Sequence, residues 1–338
     1  MSEIQSLPGA LRRQAAADPE SPFLFWPDGW NWRWWSWRET AELVARWSAP
    51  LAGLPPASAV AFAGAAYPEA IALDLAVQSA GLAPVPLVLS GSGGGGAGGH
   101  HGQAAKGAVS ALPAAARAGC LAWLEVLGGE ARVTRLDPAT DGVAGADAVP
   151  GAAATIAAAA APGDPGVLVT GDAGGWRRLS QPELLAAAAD VERAIASPSG
   201  RHAASREREI LVAGWPLQEW AGRLLAAWAV AAGAALVLQA DPALRLGAVL
   251  WARPTVFHGT AAELAALRLR VEAAWRPRRW RRRPVPPLGR LRTLFQRGAP
   301  AADDAAFWQA RSVRLLRLPD LGSRGQLSLC LGELRLPQ

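Results

Sequence analysis

An alternation of short apolar runs with helix-length segments recurs along this chain and limits what it can fold into. Ala59–Ala63 is a brief apolar run, Pro68–Ala80 has the length and composition of a helix, and Leu82–Leu89 is apolar again. Two strands joined through a helix cannot close as a tight hairpin. They pair side by side in parallel, as a βαβ unit. The pattern resumes downstream, with strand-like Cys120–Val126 and Val167–Thr170, a helix over Gln181–Ile195 and a strand over Glu209–Ala213. A helix over Gln218–Ala231 and a strand over Ala234–Gln239 follow, and Leu244–Trp251, Thr255–His258, Ala261–Leu269 and Leu291–Phe295 continue it.

Ahead of the first unit, residues 8–20 read as a short helix ending at Pro19. Phe23 to Trp37 alternates apolar and polar residues around Pro27-Asp28-Gly29, which predicts a hairpin. Ser36-Trp37-Arg38-Glu39 has capping-box spacing and predicts a helix to about Trp47. Residues 90–105 are almost all Gly, Ser, Ala and His and read as a linker. The expected fold class is α/β, with two parallel-sheet lobes flanked by helices. Residues 1–89 would form the first lobe, 90–109 the Gly-rich linker, 110–325 the second lobe and 326–338 a tail.

Composition excludes several classes. At 51% hydrophobic and 18% charged the chain is neither disordered nor fibrous. Cys120 and Cys330 are too few for a disulfide framework or a zinc site, so a reducing, cytoplasmic setting is expected. The N-terminus lacks an export pattern. The longest apolar run, Leu224 to Leu238, is shorter than the ~20 residues that cross a bilayer and contains Gly233. The net charge is +6, yet Lys106 is the only lysine. That removes lysine chemistry from most of the chain.

The order of segments resembles the large N-terminal domain of adenylate-forming enzymes, the acyl-CoA synthetases and their AMP-binding relatives. The opening carries Ala15-Ala16-Ala17-Asp18-Pro19 and then Trp35-Ser36-Trp37-Arg38-Glu39-Thr40-Ala41-Glu42-Leu43. Gly81-Leu82-Ala83-Pro84-Val85-Pro86-Leu87 is similar to the family's K-A-G-A-V-x-V-P-L passage. Trp215-Pro216-Leu217-Gln218-Glu219-Trp220-Ala221-Gly222 resembles L-P-L-x-H-x-x-G, and Arg253-Pro254-Thr255-Val256-Phe257 resembles R-P-T-x-x. Leu291 to Pro300 (LRTLFQRGAP) resembles L-R-x-x-x-x-G-G-A-P. Together these span residues 15–318.

The resemblance implies a carboxylic-acid substrate, fatty or otherwise, activated by ATP and Mg²⁺ to an acyl-adenylate and then transferred to CoA. It implies a phosphate loop at Thr170, Gly171, Asp172, Gly174 and Gly175, with Arg177 in place of a lysine's charge. It further implies a nucleotide surface at Gly298, Ala299 and Pro300, and substrate contacts at Glu219, Gly222 and Gly259. Several positions depart from the family. Gly171, Ala173 and Gly174 replace hydroxyl residues, Asp172 sets a negative charge among phosphates, and Glu219 stands where the family has histidine. Arg317-Leu318-Pro319-Asp320 replaces the start of the Y-G-x-T-E segment. The resemblance stops before the family's adenosine-binding aspartate and its C-terminal domain. The expectation is therefore a divergent, truncated domain, inactive or weak as this chain, with a protein partner supplying the rest. A non-catalytic subunit or acyl- or nucleotide-binding module of the same fold is the alternative.

Other features have plainer readings. Glu219 with Asp172 form a candidate acid–base pair, against which stands drift at abandoned positions. His100-His101 has no Cys, Asp or Glu nearby and makes a poor metal site, so no metal ligands are assigned. His258 ends a predicted strand and reads as a core histidine. Arg276 to Arg283 is a basic cluster around Trp280 that fits nucleic-acid phosphates, an anionic membrane surface or CoA, or simply a solvated loop. The tryptophans from Trp26 to Trp37 read as core and hairpin packing.

Overall fold

The computed structural model describes residues 6–63, 67–87, 120, 122–136, 167–170, 176–196, 208–214, 216–275, 290–297 and 302–318. The chain enters through helix α1 (Leu7–Ala17), capped by the Ser6 hydroxyl, which accepts from the Gly9 N–H, and carrying Pro8 in its first turn. Strands β1 (Pro22–Asp28) and β2 (Asn31–Ser36) form the expected antiparallel hairpin. Ser36 then starts α2 (Trp37–Ser48), and the capping box is formed in both directions. The first βαβ unit follows as β3 (Ala59–Ala63), α3 (Pro68–Ser79) and β4 (Ala83–Leu87), paired in parallel.

The remaining elements are β5 (Ala122–Leu127), β6 (Glu130–Arg135), β7 (Val167–Thr170), β8 (Trp176–Leu179) and α4 (Gln181–Ile195). After these come β9 (Ile210–Ala213), α5 (Trp220–Ala232), β10 (Ala235–Leu238), α6 (Pro242–Ala252) and β11 (Val256–Thr260). The last are α7 (Ala261–Trp275), β12 (Thr293–Arg297), α8 (Ala302–Gln309) and β13 (Arg314–Arg317). Sheet A has the order β13-β12-β11-β9-β10-β1-β2, parallel throughout except for the edge strand β2. Sheet B has the order β4-β3-β5-β6, with β6 antiparallel at its edge.

Neither sheet respects the division expected at residues 90–109. Sheet A takes β1 and β2 from before that tract and β9 to β13 from after it. Sheet B takes β3 and β4 from before it and β5 and β6 from after it. The lobes are thus interleaved segments rather than consecutive halves of the chain. Residues 90–109 and the tail 326–338 lie outside the described residues.

The period-2 alternation of the strands sorts the core into two layers. Leu211, Leu236, Leu238, Val256 and Phe295 face a cluster shared with α1 to α5 and sheet B. Their neighbours Val212, Val237, Phe257 and Leu294 face a second cluster, built by α6, α7 and α8. Both faces of sheet A are covered, as parallel sheets require. The long apolar run is broken as its glycine predicts: α5 stops at Gly233, whose φ of 75° is left-handed, and β10 begins two residues later. No described helix is long and apolar enough to cross a membrane.

Candidate functional site at the carboxyl edge of sheet A

In open parallel sheets, ligand sites form outside the carboxyl ends of the strands, where loops and helix N-termini converge. Here β9, β11 and β12 are adjacent and parallel, and the predicted substrate positions all fall where these strands end. Gly259 is buried at the end of β11, in register with Gln296 of β12. Glu219 is the N-cap of α5, the helix that follows β9, and Gly222 is buried in that helix's first turn. The Glu219 side chain does not cap the helix. Its backbone makes the turn, with the N–H donating to Pro216 O (3.1 Å) and the carbonyl accepting from Arg223 N (3.0 Å). A carboxylate there is compatible with the helix macrodipole, which is a structural reason for an acid at this position.

The expected nucleotide positions are distributed differently. Thr170 closes β7 and pairs with Trp176 of β8, and Arg177 follows in β8 opposite Val169. β7 thus ends at Thr170, and its antiparallel partner β8 begins at Trp176. The hairpin lies beside β4. Gly171, Asp172, Gly174 and Gly175, like Gly298, Ala299 and Pro300, lie outside the described residues. So do His100-His101, the Arg276–Arg283 cluster and Pro319-Asp320.

Two groups at the carboxyl edge were not anticipated. The first is Arg245 of α6, whose side chain is buried over the ends of β9 and β10. Its Nε donates to Gln239 O (3.0 Å) and its Nη2 to Gly214 O (3.3 Å) and Ala240 O (3.2 Å). Its Nη1 pairs with Glu263 Oε1 at 2.6 Å, with the two side chains only 5% and 11% exposed. The other carboxylate oxygen of Glu263 accepts from Thr260 N (2.8 Å) and Thr260 Oγ1 (3.0 Å), capping α7. Burial pulls the Arg245 pKa below its ordinary value, and the nearby Glu263 and Asp241 charges oppose that shift. This pair fills the edge between β9, β10 and β11 with satisfied protein groups. Thr260-Ala261-Ala262-Glu263 is a capping-box spacing that could have marked Glu263 in the sequence.

The second is Gln296, 1% exposed, whose Nε2 has no hydrogen-bond partner among the described residues. A buried amide N–H left unsatisfied costs about 1–3 kcal/mol, so such a donor calls for an explanation. It sits one residue before the end of β12, next to Gly259, and fits an acceptor on a polar ligand. For magnesium the described residues offer less: no three His, Cys, Asp or Glu side chains gather among them. His258 lies inside β11 rather than at its end, fully buried and in register with Phe295, and is a core residue.

No protein-family model matches the sequence, and no curated protein does. Solved structures do match its fold. An inhibitor-bound N-terminal domain of FACL13 from Mycobacterium tuberculosis superposes with a TM-score of 0.61 at 16% identity, over 94% of this chain and 76% of that one. CmiS6 gives 0.65 at 16% identity, over 97% and 77%. O-succinylbenzoate coenzyme A synthetase from Bacillus subtilis, solved with AMP, gives 0.56 at 14% identity, over 92% and 72%. At such identities the likeness establishes architecture. This chain has the fold of the large N-terminal domain of adenylate-forming enzymes.

Proposed function

We propose that the protein binds AMP or an acyl-adenylate across the ends of β11 and β12, and that as this chain it activates carboxylic acids with ATP slowly or not at all. The binding reading rests on Gln296, a buried donor with no partner among the described residues, at the sheet edge where this fold accommodates ligands. The similar B. subtilis enzyme solved with AMP supports the choice of nucleotide. Weak turnover is supported by side-chain chemistry. Asp172 brings a carboxylate to a loop that would hold phosphates, and hydroxyl donors are missing at Gly171, Ala173 and Gly174. Glu219 puts a carboxylate where the family has an imidazole, which adds to the disagreement.

Calorimetric titration with a stable acyl-adenylate mimic and with ATP–Mg²⁺, alongside a pyrophosphate-release assay, tests both halves. The expected result is micromolar binding of the mimic, weakened in Gln296→Leu, and no magnesium-dependent pyrophosphate release. Absence of binding by either ligand would sink the binding half. Pyrophosphate release with any carboxylic acid would sink the other.

A further inference from the structure

Among the described residues the two sheets end in four edge strands, and three of these carry devices that discourage pairing with another chain. β4 contains Pro84 and Pro86 and is flanked by the β7–β8 hairpin. β6 alternates charge through Glu130, Arg132 and Arg135. β13 is only four residues long, Arg314–Arg317. The fourth edge, β2, reads Asn31-Trp32-Arg33-Trp34-Trp35-Ser36 and has no proline. Its one charge is paired within the hairpin, Arg33 Nε lying 2.5 Å from Asp28 Oδ2.

The same edge collects exposed apolar surface. Trp30 at the hairpin tip is fully exposed, and Trp34 and Trp251 are each about half exposed (47% and 48%). Trp251 stacks on Trp32 with centroids 4.2 Å apart and planes 9° apart, and meets the Phe25 ring at 5.9 Å. Trp34 lies opposite Phe25 across the hairpin and two residues from Trp32, so these rings share one face. Leu244, 55% exposed, lies two helical turns before Trp251 on α6. Four of the five exposed large apolar side chains among the described residues thus lie on the β1–β2 hairpin and α6. Exposed apolar surface around the stacked Trp32–Trp251 pair, with Trp34 on the same face, is of the kind that marks an interaction site.

We infer that β2 is the interface of a homodimer, in which two copies pair their β2 strands antiparallel about a two-fold axis and extend sheet A across both. A two-fold axis normal to the sheet keeps the faces in step and restricts the register. Centring on Arg33 would set two arginines directly opposite, which is unfavourable. Centring on Trp32 would leave only residues 31–33 of the strand overlapping. Centring on Trp34 overlaps residues 32–36, lays Trp34 against the partner's Trp34, and sets Arg33 opposite the partner's Trp35, where a guanidinium and an indole attract. Trp34 and Trp251 expose about one whole tryptophan per copy beside the paired segment and Trp30 a second at the hairpin tip, together on the order of 300–500 Å². With the backbone of two strands added, the pair reaches the ~1,000 Å² that a specific interface needs. Satisfying the outward backbone groups of both edges supplies direction as well as area.

The test uses the full chain. Sedimentation velocity is expected to show a dimer at micromolar concentration. Trp34→Lys, which places two ammonium groups on the axis, is expected to weaken self-association at least about thirtyfold while leaving the thermal midpoint of the monomer unchanged. In a Cys120→Ala, Cys330→Ser background, Trp34→Cys is expected to cross-link to itself on mild oxidation. Directly opposed residues of an antiparallel pair have Cα atoms about 4.5–5.5 Å apart, inside the disulfide range. Leu269→Cys, exposed on α7, is expected not to cross-link. A monomeric wild-type protein would overturn the inference, including one that instead sediments with lipid vesicles. So would a dimer indifferent to Trp34→Lys, or cross-linking of Leu269→Cys as efficient as that of Trp34→Cys.

Discussion

Arg223 of α5 and Asp74 of α3 form an ion pair in the interior, with side-chain exposures of 1% and 7%. The pair is one end of a polar chain through an otherwise apolar layer. Gln78 Nε2 donates to the second Asp74 oxygen (2.5 Å), Gln181 Nε2 donates to Gln78 Oε1 (2.5 Å), and the Leu7 N–H donates to Gln181 Oε1 (3.2 Å). Helices α1, α3, α4 and α5 are thereby fixed in mutual register. Burial pushes the Asp74 carboxyl above its ordinary range, while the Arg223 charge and the hydrogen bonds from Arg223 and Gln78 pull against it.

Removing one partner leaves the other charge buried without its counterion. Arg223→Met is therefore expected to lower stability by about 3–5 kcal/mol, read as a fall in the urea midpoint at constant slope. The double variant Asp74→Leu/Arg223→Met is expected to recover most of that loss, because both desolvation costs disappear together. Additive losses in the double variant would show that the pair is not coupled.

Two glycines separate a packing constraint from a propensity effect. A Cβ at Gly214 would collide with the Arg245 guanidinium and the Gln239 carbonyl, whereas a Cβ at Gly247 of α6 meets nothing within 4 Å. Gly214→Ala is expected to cost about 1–3 kcal/mol, since the backbone carbonyl cannot move aside. Gly247→Ala is expected to stabilise by about 0.8–1.0 kcal/mol through helix propensity. Thermal denaturation of the two variants should move in opposite directions.

Ser180 and Glu183 form a reciprocal capping box at the start of α4, with Ser180 N donating to Glu183 Oε2 (2.7 Å) and Glu183 N to Ser180 Oγ (3.2 Å). Ser180→Ala is expected to cost about 1 kcal/mol, and Ser180→Asp to restore most of it. Failure of aspartate to rescue in chemical denaturation would assign the loss to something other than the cap.

Cys120 is fully buried, and burial pushes its thiol from an ordinary 9.0 up to about 12. The thiolate is the reactive form, so in a Cys330→Ser variant the native protein is expected to resist alkylation at pH 8 and to react fully in denaturant. The folded thiol pKa is raised, so the unfolded chain ionises first as pH rises. Stability from this group is whole below about pH 9 and falls away toward pH 12. Rapid alkylation of the folded protein would contradict the buried placement.

Local patterns carried much of the architecture. The hairpin at Pro27-Asp28-Gly29, the Ser36 cap, α4 over Gln181–Ile195 and the βαβ unit from Ala59 all form at the expected positions, because caps, turns and hydrophobic period act within a few residues. Asp74 and Arg223 lie in two apolar helices far apart in sequence, and no local rule pairs them. Strand partnership between distant segments was not legible. That β1 lies beside β10, and β3 beside β5, depends on which apolar faces close together across long stretches of chain. The same long-range closure brought Arg245 over the ends of β9 and β10, left Gln296 with a buried donor lacking a partner among the described residues, and exposed Trp34 at an edge where its composition pointed to packing. Side-chain periodicity fixes the face on which a residue lies. Burial and hydrogen-bond satisfaction, summed over elements distant in sequence, fix what that face meets.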